Sequence, residues 1–372
     1  MRVTLERANL LKSLNHVHRV VERRNTIPIL SNVLLKTTGA SLELKATDLD
    51  LEMTEAVPAQ AERTGATTVP AHLLYDIVRK LPDGAEVMLK MAEDGNSMTV
   101  ISGRASFRLQ CLPQSDFPEL TAGSFSHIFR MESAVLKHLI DKTQFAISTE
   151  ETRYYLNGIY LHAAKDAKPP VMRAVATDGH RLARYELELP DGAADMPGVI
   201  VPRKTVGELV KLLDDADGAI DISLSDTKIQ FGFNGVELTS KLIDGNFPPY
   251  ERVIPSGNDK SLALEAREFA QSVDRVSTIS ADKTRAVKLN LSKDKVTLSV
   301  VNPESGTATE DVGATYSAGA LEIGFNARYL LDITSQIEGK EVRFLLSDAG
   351  SPAIIEDAED ARTLYVLMPL RV

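Results

Sequence analysis

The sequence is poor in the residues that carry much of protein chemistry. A single cysteine, Cys111, occurs in 372 residues. That excludes an intrachain disulfide and a cysteine-rich zinc site. No run of 18 apolar residues exists, so no membrane-spanning helix is expected. Glu6 and Arg7 fall where a secretory signal needs its apolar core, so the start reads as mature, cytoplasmic protein. The GxxxxGK[ST] loop and the GxGxxG turn that cradle phosphates are both missing, as is a GxSxG-type nucleophile. Positive charge is in deficit: 42 Lys and Arg face 52 Asp and Glu, a net −10. Such a chain does not coat nucleic acid with its whole surface, although a local basic face remains open. The rest is ordinary: 43% hydrophobic and 25% charged residues indicate a globular fold.

What the sequence does have is repetition. A Glu followed by an apolar helical pattern occurs at Glu6 (ERANLLKSLNHV), Glu132 (ESAVLKHLIDKTQF) and Glu265 (EAREFAQSVDRV), with spacings of 126 and 133 residues. A strand ending and then a second helical pattern follow in each copy. Val69-Pro70 and Val201-Pro202 mark the junction twice, and Phe325-Asn326 marks it in the third copy. An Asp-Phe-Pro-like exit closes the first two copies, at QSDFPEL and DGNFPPY, whereas the third ends at the C-terminus. Three domains are therefore expected, at 1–122, 128–253 and 259–372, joined by Gly/Ser-containing TAGSFS and IPSGNDKS. Each copy carries two helical patterns and six or more strand-like runs, which predicts an α+β fold with helices packed on antiparallel sheets.

The expected helices are 6–24, 71–81, 132–145, 203–213, 265–276 and 326–338. They hold 15 Lys and Arg against 11 Asp and Glu, so the remainder of the chain is at −14. Helices facing one way would make a mildly basic surface on an acidic body, able to attract a polyanion without gripping it. Other candidates read as structure. His16 and His18 are two apart on a helix and point to different faces. Asp48, Asp50 and Glu52 alternate as on a solvated edge strand. Cys111 belongs to a core strand. Asp178-Gly179, within ATDGHRLA, makes a turn between strands, and Glu356, Asp357, Glu359 and Asp360 form an acidic loop. No catalytic residue, metal site or cofactor is expected. The C-terminus is unusual: Leu364 to Val372 is apolar nearly to its end, yet Pro369 cannot donate to a ladder. Residues past it are expected to leave the sheet and line a surface groove suited to a peptide.

RYYLNG at Arg153, ATDGHRLA at Ala176, VPRK at Val201, DGNFPPYERV at Asp244 and the tail VLMPLRV, set in three α+β copies, resemble the bacterial DNA polymerase III beta sliding clamp family from end to end. The resemblance implies a head-to-tail homodimer closed into a six-domain ring around double-stranded DNA, helices inside, with no catalysis of its own. It implies partners that share one peptide groove: the polymerase III alpha subunit, the clamp loader, repair polymerases, ligase and mismatch-repair proteins. By motif the groove maps onto Leu156, Thr177, Gly179, His180, Arg181, Leu182, Pro248, Arg252, Val253, Asn326, Tyr329, Val366, Met368, Pro369, Leu370 and Arg371, with Arg153, Tyr154 and Tyr155 adjoining. DNA contacts map onto Arg24, Tyr154, Tyr155, Arg203 and Lys204. The dimer contact would set Phe107 and Leu109 of one chain against Thr278 and Ile279 of the other. Thr278, Glu150, His72 and Pro352 depart from the family pattern at the dimer, DNA, interface and groove positions. The competing reading is a non-topological protein that grips duplex through basic helices.

Overall fold

A computed structural model of the chain describes residues 1–120, 123–280 and 285–371. The expected domain limits at 122 and 372, and the first two residues of TAGSFS, lie outside them. Among the described residues there are six α-helices: α1 (Arg7–Val17), α2 (Ala71–Arg79), α3 (Ser133–Gln144), α4 (Arg203–Leu213), α5 (Ala266–Ser277) and α6 (Ala327–Thr334). Every junction read from the repeats is a strand running straight into a helix. The strands Arg2–Glu6, His127–Glu132 and Lys260–Glu265 end on the repeated Glu. The strands Gly65–Pro70, Val199–Pro202 and Leu321–Asn326 end on Pro, Pro and Asn. Glu265 accepts from the Glu268 amide, and Asn326 accepts from the amides of Arg328 and Tyr329, which caps two of these helices.

The chain packs as two compact units: Met1–Leu136 with Pro190–Pro197 and Lys204–Leu242, and Lys137–Leu189 with Gly198–Arg203 and Ile243–Val372. The first unit holds two antiparallel sheets. One has five strands in the order Gln60–Arg63, Arg2–Glu6, Glu86–Met91, Ser97–Ser102, Ala105–Gln110. The other has eight, in the order His127–Glu132, Ala219–Leu224, Lys228–Phe233, Val236–Lys241, Leu51–Pro58, Ser41–Thr47, Asn32–Thr38, Gly65–Pro70. Its middle is a seam between repeats, where Leu238 pairs with Met53.

The second unit follows the same plan. Its nine-stranded sheet runs Val199–Pro202, Gly158–Ala164, Val171–Thr177, Arg181–Glu188, Asp360–Leu367, Ala353–Asp357, Glu341–Leu346, Lys260–Glu265, Thr315–Tyr316. Here the seam is Arg181–Glu188 against Asp360–Leu367. A four-stranded sheet completes it: Gly306–Gly313, Lys295–Asn302, Ala286–Ser292, Leu321–Asn326. The middle repeat thus contributes strands to a large sheet in each unit, a division that no local pattern announces.

Three local expectations change. The first helix stops at Val17 rather than running to residue 24. Arg19 and Val20 close with tighter bonds to His16 and Val17, and the adjacent Val20 and Val21 are both buried. Glu52 is buried in Leu51–Pro58, a strand paired on both sides and so not an edge, while Asp48 caps the preceding turn by accepting from the amides of Asp50 and Leu51. Asp357 is buried too; it accepts from the amides of Glu338, Gly339 and Glu359, so it organises a hairpin rather than an open acidic loop. Cys111 is buried as expected, just past the strand Ala105–Gln110.

Candidate peptide groove and DNA-facing residues

The groove is built on a tight turn in the second unit. Between the strands Val171–Thr177 and Arg181–Glu188 the chain reverses at Asp178-Gly179, and Gly179 has φ +88°. A side chain disfavours that conformation. A Cβ on Gly179 would also meet Nη1 of Arg153 at 2.5 Å. Asp178 Oδ1 accepts from the amides of His180 (2.9 Å) and Arg181 (3.0 Å), and Thr177 Oγ1 donates to the Arg181 carbonyl (2.7 Å). This is the hydrogen-bonding an Asp-Gly turn offers. It presents His180 to solvent and sends Leu182 inward.

Leu182 stands directly opposite Val366 in the seam. Together with Val175, Tyr250, Ile354 and Leu364 they form an apolar cluster under a cavity of about 250 Å³. Its lining comprises Leu156, Thr177, Gly179, His180, Arg181, Leu182, Pro248, Pro249, Tyr250, Val253, Val366 and Met368. Val253 and Met368 are exposed apolar rims, at 53% and 42%. The tail leaves the ladder at the expected place. The Met368 amide donates to the His180 carbonyl (2.9 Å), and beyond Pro369 the Leu370 amide donates to the Gly324 carbonyl (2.8 Å).

The structure brings ten of the motif-mapped groove residues onto this cavity. Arg252 and Arg371 are exposed outside its lining, Pro369 and Leu370 are half-buried, and Asn326 is occupied in capping α6. Tyr329 lines a neighbouring polar cavity of about 490 Å³ that shares His180 and Arg181 and also takes in Arg203 and Arg328. Arg153 is held by Glu150. Glu150, flagged as unfavourable near DNA, thus has its charge matched. Tyr154 is 54% exposed and lies edge-on to Tyr155.

Sequence reasoning missed Pro249 and Tyr250. Tyr250 is buried, and its hydroxyl lies 3.0 Å from His162 Nε2 and 3.4 Å from Arg173 Nη1. Burial pushes its phenol up to about 12, despite the opposing Arg173 charge, so it stays a neutral floor group. The DGNFPPYERV stretch contained the signal, a Tyr following two prolines, but not its inward direction.

Arg181, mapped onto the groove, lines it without offering a free charge. It is buried, donating to Asp178, Asp332 and the Phe145 carbonyl, with its guanidinium 4.4 Å from the Tyr329 ring centroid. Every part of its fork is used within the protein, so it braces the groove wall instead of offering a free charge. Lys204, mapped as a DNA contact, is likewise engaged. Its Nζ donates to Glu22 (2.7 Å) and Asp48 (2.6 Å). Burial works against its charge, but the two carboxylates prevail and raise its pKa. Arg24 and Arg203 are exposed. At the proposed dimer contact, Phe107 is exposed and Ile279 half-buried, but Leu109 is only 4% exposed, already packed inside its own chain. Thr278 is exposed. Among the described residues no group of three or more His, Cys, Asp or Glu is placed to hold a metal ion, and no helix is long and apolar enough to cross a membrane.

Comparison with known proteins agrees with this architecture along the whole chain. Family models of the DNA polymerase III beta subunit match its N-terminal domain to residues 1–121, its central domain to 130–249 and its C-terminal domain to 251–371. The beta sliding clamp of Caulobacter vibrioides is 51% identical over 372 residues, and that of Escherichia coli K12 is 40% identical over 373, each covering all of both chains. The crystal structure of a sliding clamp from Bartonella birtlesii bound to griselimycin superposes with a TM-score of 0.97 at 56% identity, with full coverage of both chains. The chain therefore belongs to the DNA polymerase III beta subunit family, the beta sliding clamps.

Proposed function

We propose that two copies of this chain close head to tail around duplex DNA, each contributing domains at 1–122, 128–253 and 259–372, and that partner peptides seat in the groove floored by Leu182 and Val366 and rimmed by Met368. The family's function is that of a sliding clamp for DNA polymerase III, a processivity subunit without catalysis. The observation that carries the closure is the seam topology. In both seams the fourth strand of one repeat (Leu51–Pro58 or Arg181–Glu188) pairs with the last strand of the next (Val236–Lys241 or Asp360–Leu367). One fourth strand and one last strand remain as open sheet edges, Gly306–Gly313 and Ala105–Gln110. A second copy supplies the missing partner for each. Two such heterologous contacts make a closed dimer, and pairing in trans protects edges that would otherwise invite aggregation.

The seams also explain the apolar anchors. Phe145, thirteen residues beyond Glu132, meets Tyr365 of the following repeat, with ring centroids 5.7 Å apart. Thr278 and Ile279 occupy the same stretch beyond Glu265 and lack a following repeat, so Ile279 and Phe107 are the apolar pair we assign to the trans contact. Leu109 supports it from within. DNA is touched lightly, through Arg24, Arg203, Tyr154 and Tyr155, which suits sliding better than gripping. The polymerase alpha subunit, the clamp loader, repair polymerases, ligase and mismatch-repair proteins would share the groove. The test pairs solution mass with retention on DNA. A dimer that a loader places on nicked circular plasmid, and that runs off when the plasmid is linearised, meets the proposal. A monomer, or equal retention on both forms, overturns it.

A further inference from the structure

The repeats carry a polar device that is complete in one seam and incomplete at the open edge. His16, Lys142 and Arg275 each lie ten residues beyond the repeated Glu, at or near the end of the first helix of their repeat. In the first repeat His16 Nδ1 lies 2.8 Å from Oε2 of Glu55, the fifth residue of the fourth strand, Leu51–Pro58. Its Nε2 lies 3.4 Å from Oδ2 of Asp215, thirteen residues beyond Pro202 and just past α4 of the following repeat. In the second repeat Lys142 reaches the equivalent place in its own following repeat: it donates to the Gln336 carbonyl and lies 2.8 Å from Glu338, just past α6.

Arg275 repeats the first half of this arrangement. It holds Glu310 with both Nε and Nη2, and Glu310 is the fifth residue of the fourth strand Gly306–Gly313, the counterpart of Glu55. Among the described residues no acid from another repeat completes this pair. Exposure records the difference. The His16 and Glu55 side chains are 5% and 7% exposed, whereas Arg275 and Glu310 are 55% and 29% exposed. The residue thirteen beyond Pro70, at the place Asp215 holds after Pro202, is Asp83, just past α2. Its side chain is 95% exposed and bound only at one side, by Arg7.

We propose that Asp83 of a second copy completes the Arg275–Glu310 pair in trans, as Asp215 completes His16–Glu55 within the chain. The inference rests on the head-to-tail closure proposed above and adds to its apolar anchors a charged contact that sets register. Opposite charges placed this way favour one docking alignment over its neighbours.

A double-mutant cycle in the full chain tests it, with Arg275→Gln, Asp83→Asn and both, and the dimer dissociation constant read by sedimentation. Each single change is expected to cost about threefold at each of two contacts, hence about tenfold in the dimer constant, the scale of a partly exposed pair. The double variant should be no weaker than either single one, and the effect should shrink at high salt. Asp76→Asn, within the preceding helix α2, serves as the control and should show no coupling to Arg275. Additive effects of Arg275→Gln and Asp83→Asn in a protein that still dimerises overturn this inference alone. A wild-type chain that stays monomeric overturns the closure beneath it. Matched melting curves for all variants keep a folding defect from passing as lost dimerisation.

Discussion

Leu182 and Val366 face each other across a single antiparallel pair of strands, and so fix the floor of the groove in the sheet itself. The rim is different. Met368 follows the last strand, is held by one backbone bond to His180, and leaves its side chain 42% exposed. Floor and rim can therefore be separated by mutation.

Met368→Ala should weaken a partner peptide with an apolar end by about tenfold. A fully buried Met side chain contributes about 1.5–3 kcal/mol, and 1.4 kcal/mol is one decade in affinity. The melting temperature and dimer mass should be unchanged. Fluorescence anisotropy with a labelled peptide checks this; unchanged affinity would show that Met368 takes no part in the groove.

Arg181→Met should behave otherwise. It removes three donors from Asp178, Asp332 and Phe145 and leaves two carboxylates without their cation. Breaking a buried pair costs about 3–5 kcal/mol, less here because Asp332 is about a third exposed. Urea unfolding should move to a clearly lower midpoint and peptide affinity should fall with it. Arg181→Lys should not rescue, since an ammonium cannot reproduce the fork. A variant with wild-type stability would show that the network carries no weight.

At the proposed dimer contact the two apolar positions of the strand Ala105–Gln110 should part company. Phe107→Asp and Ile279→Asp should each split the dimer at concentrations where the wild type is intact, with little loss of protomer stability. Leu109→Ala should destabilise the protomer by about 2–5 kcal/mol, as a buried leucine does. Sedimentation velocity beside thermal melting distinguishes the two classes. Dissociation by Leu109→Ala at full stability would put that side chain in the contact after all.

His16 gives a pH dependence with a definite sign. Burial opposes its charge, but Glu55 and Asp215 outweigh burial and set its folded pKa above the ordinary 6.5. A group raised on folding contributes stability fully present below its unfolded pKa and lost as pH rises through the folded value. Urea midpoints for the wild type should therefore fall between about pH 6 and pH 8 relative to His16→Gln, which has no such titration. A constant difference across that interval would refute the charged pair.

Lys204 and Arg24 should separate structural from DNA-facing charge. Lys204→Ala should lower stability by about 1 kcal/mol through Glu22 and Asp48, a half-exposed network, with little change in retention on circular DNA. Arg24→Glu should do the reverse. Measuring both quantities for both variants decides it, and the reverse pattern would return Lys204 to the DNA-contact set.

Local features were legible from the residues alone. Repeated Glu, Pro and Asn residues mark the strand-to-helix junctions because capping and backbone restriction act within a few residues. Asp178-Gly179 had to turn because Asp binds amides two and three positions on and Gly accepts a positive φ. Pro369 had to end the ladder because it has no amide proton. Which charges were free emerged from the folded chain. Arg181 meets Asp332 at a separation of 151 residues and Lys204 meets Glu22 at 182, distances at which periodicity says nothing about partners. It alone showed Leu109 turned into its own core, Tyr250 lying beneath the groove, and the middle repeat's strands shared between two large sheets. Strand pairing across repeats depends on which edges remain open once each copy has folded, and burial of a charge depends on what the neighbouring repeat brings to it.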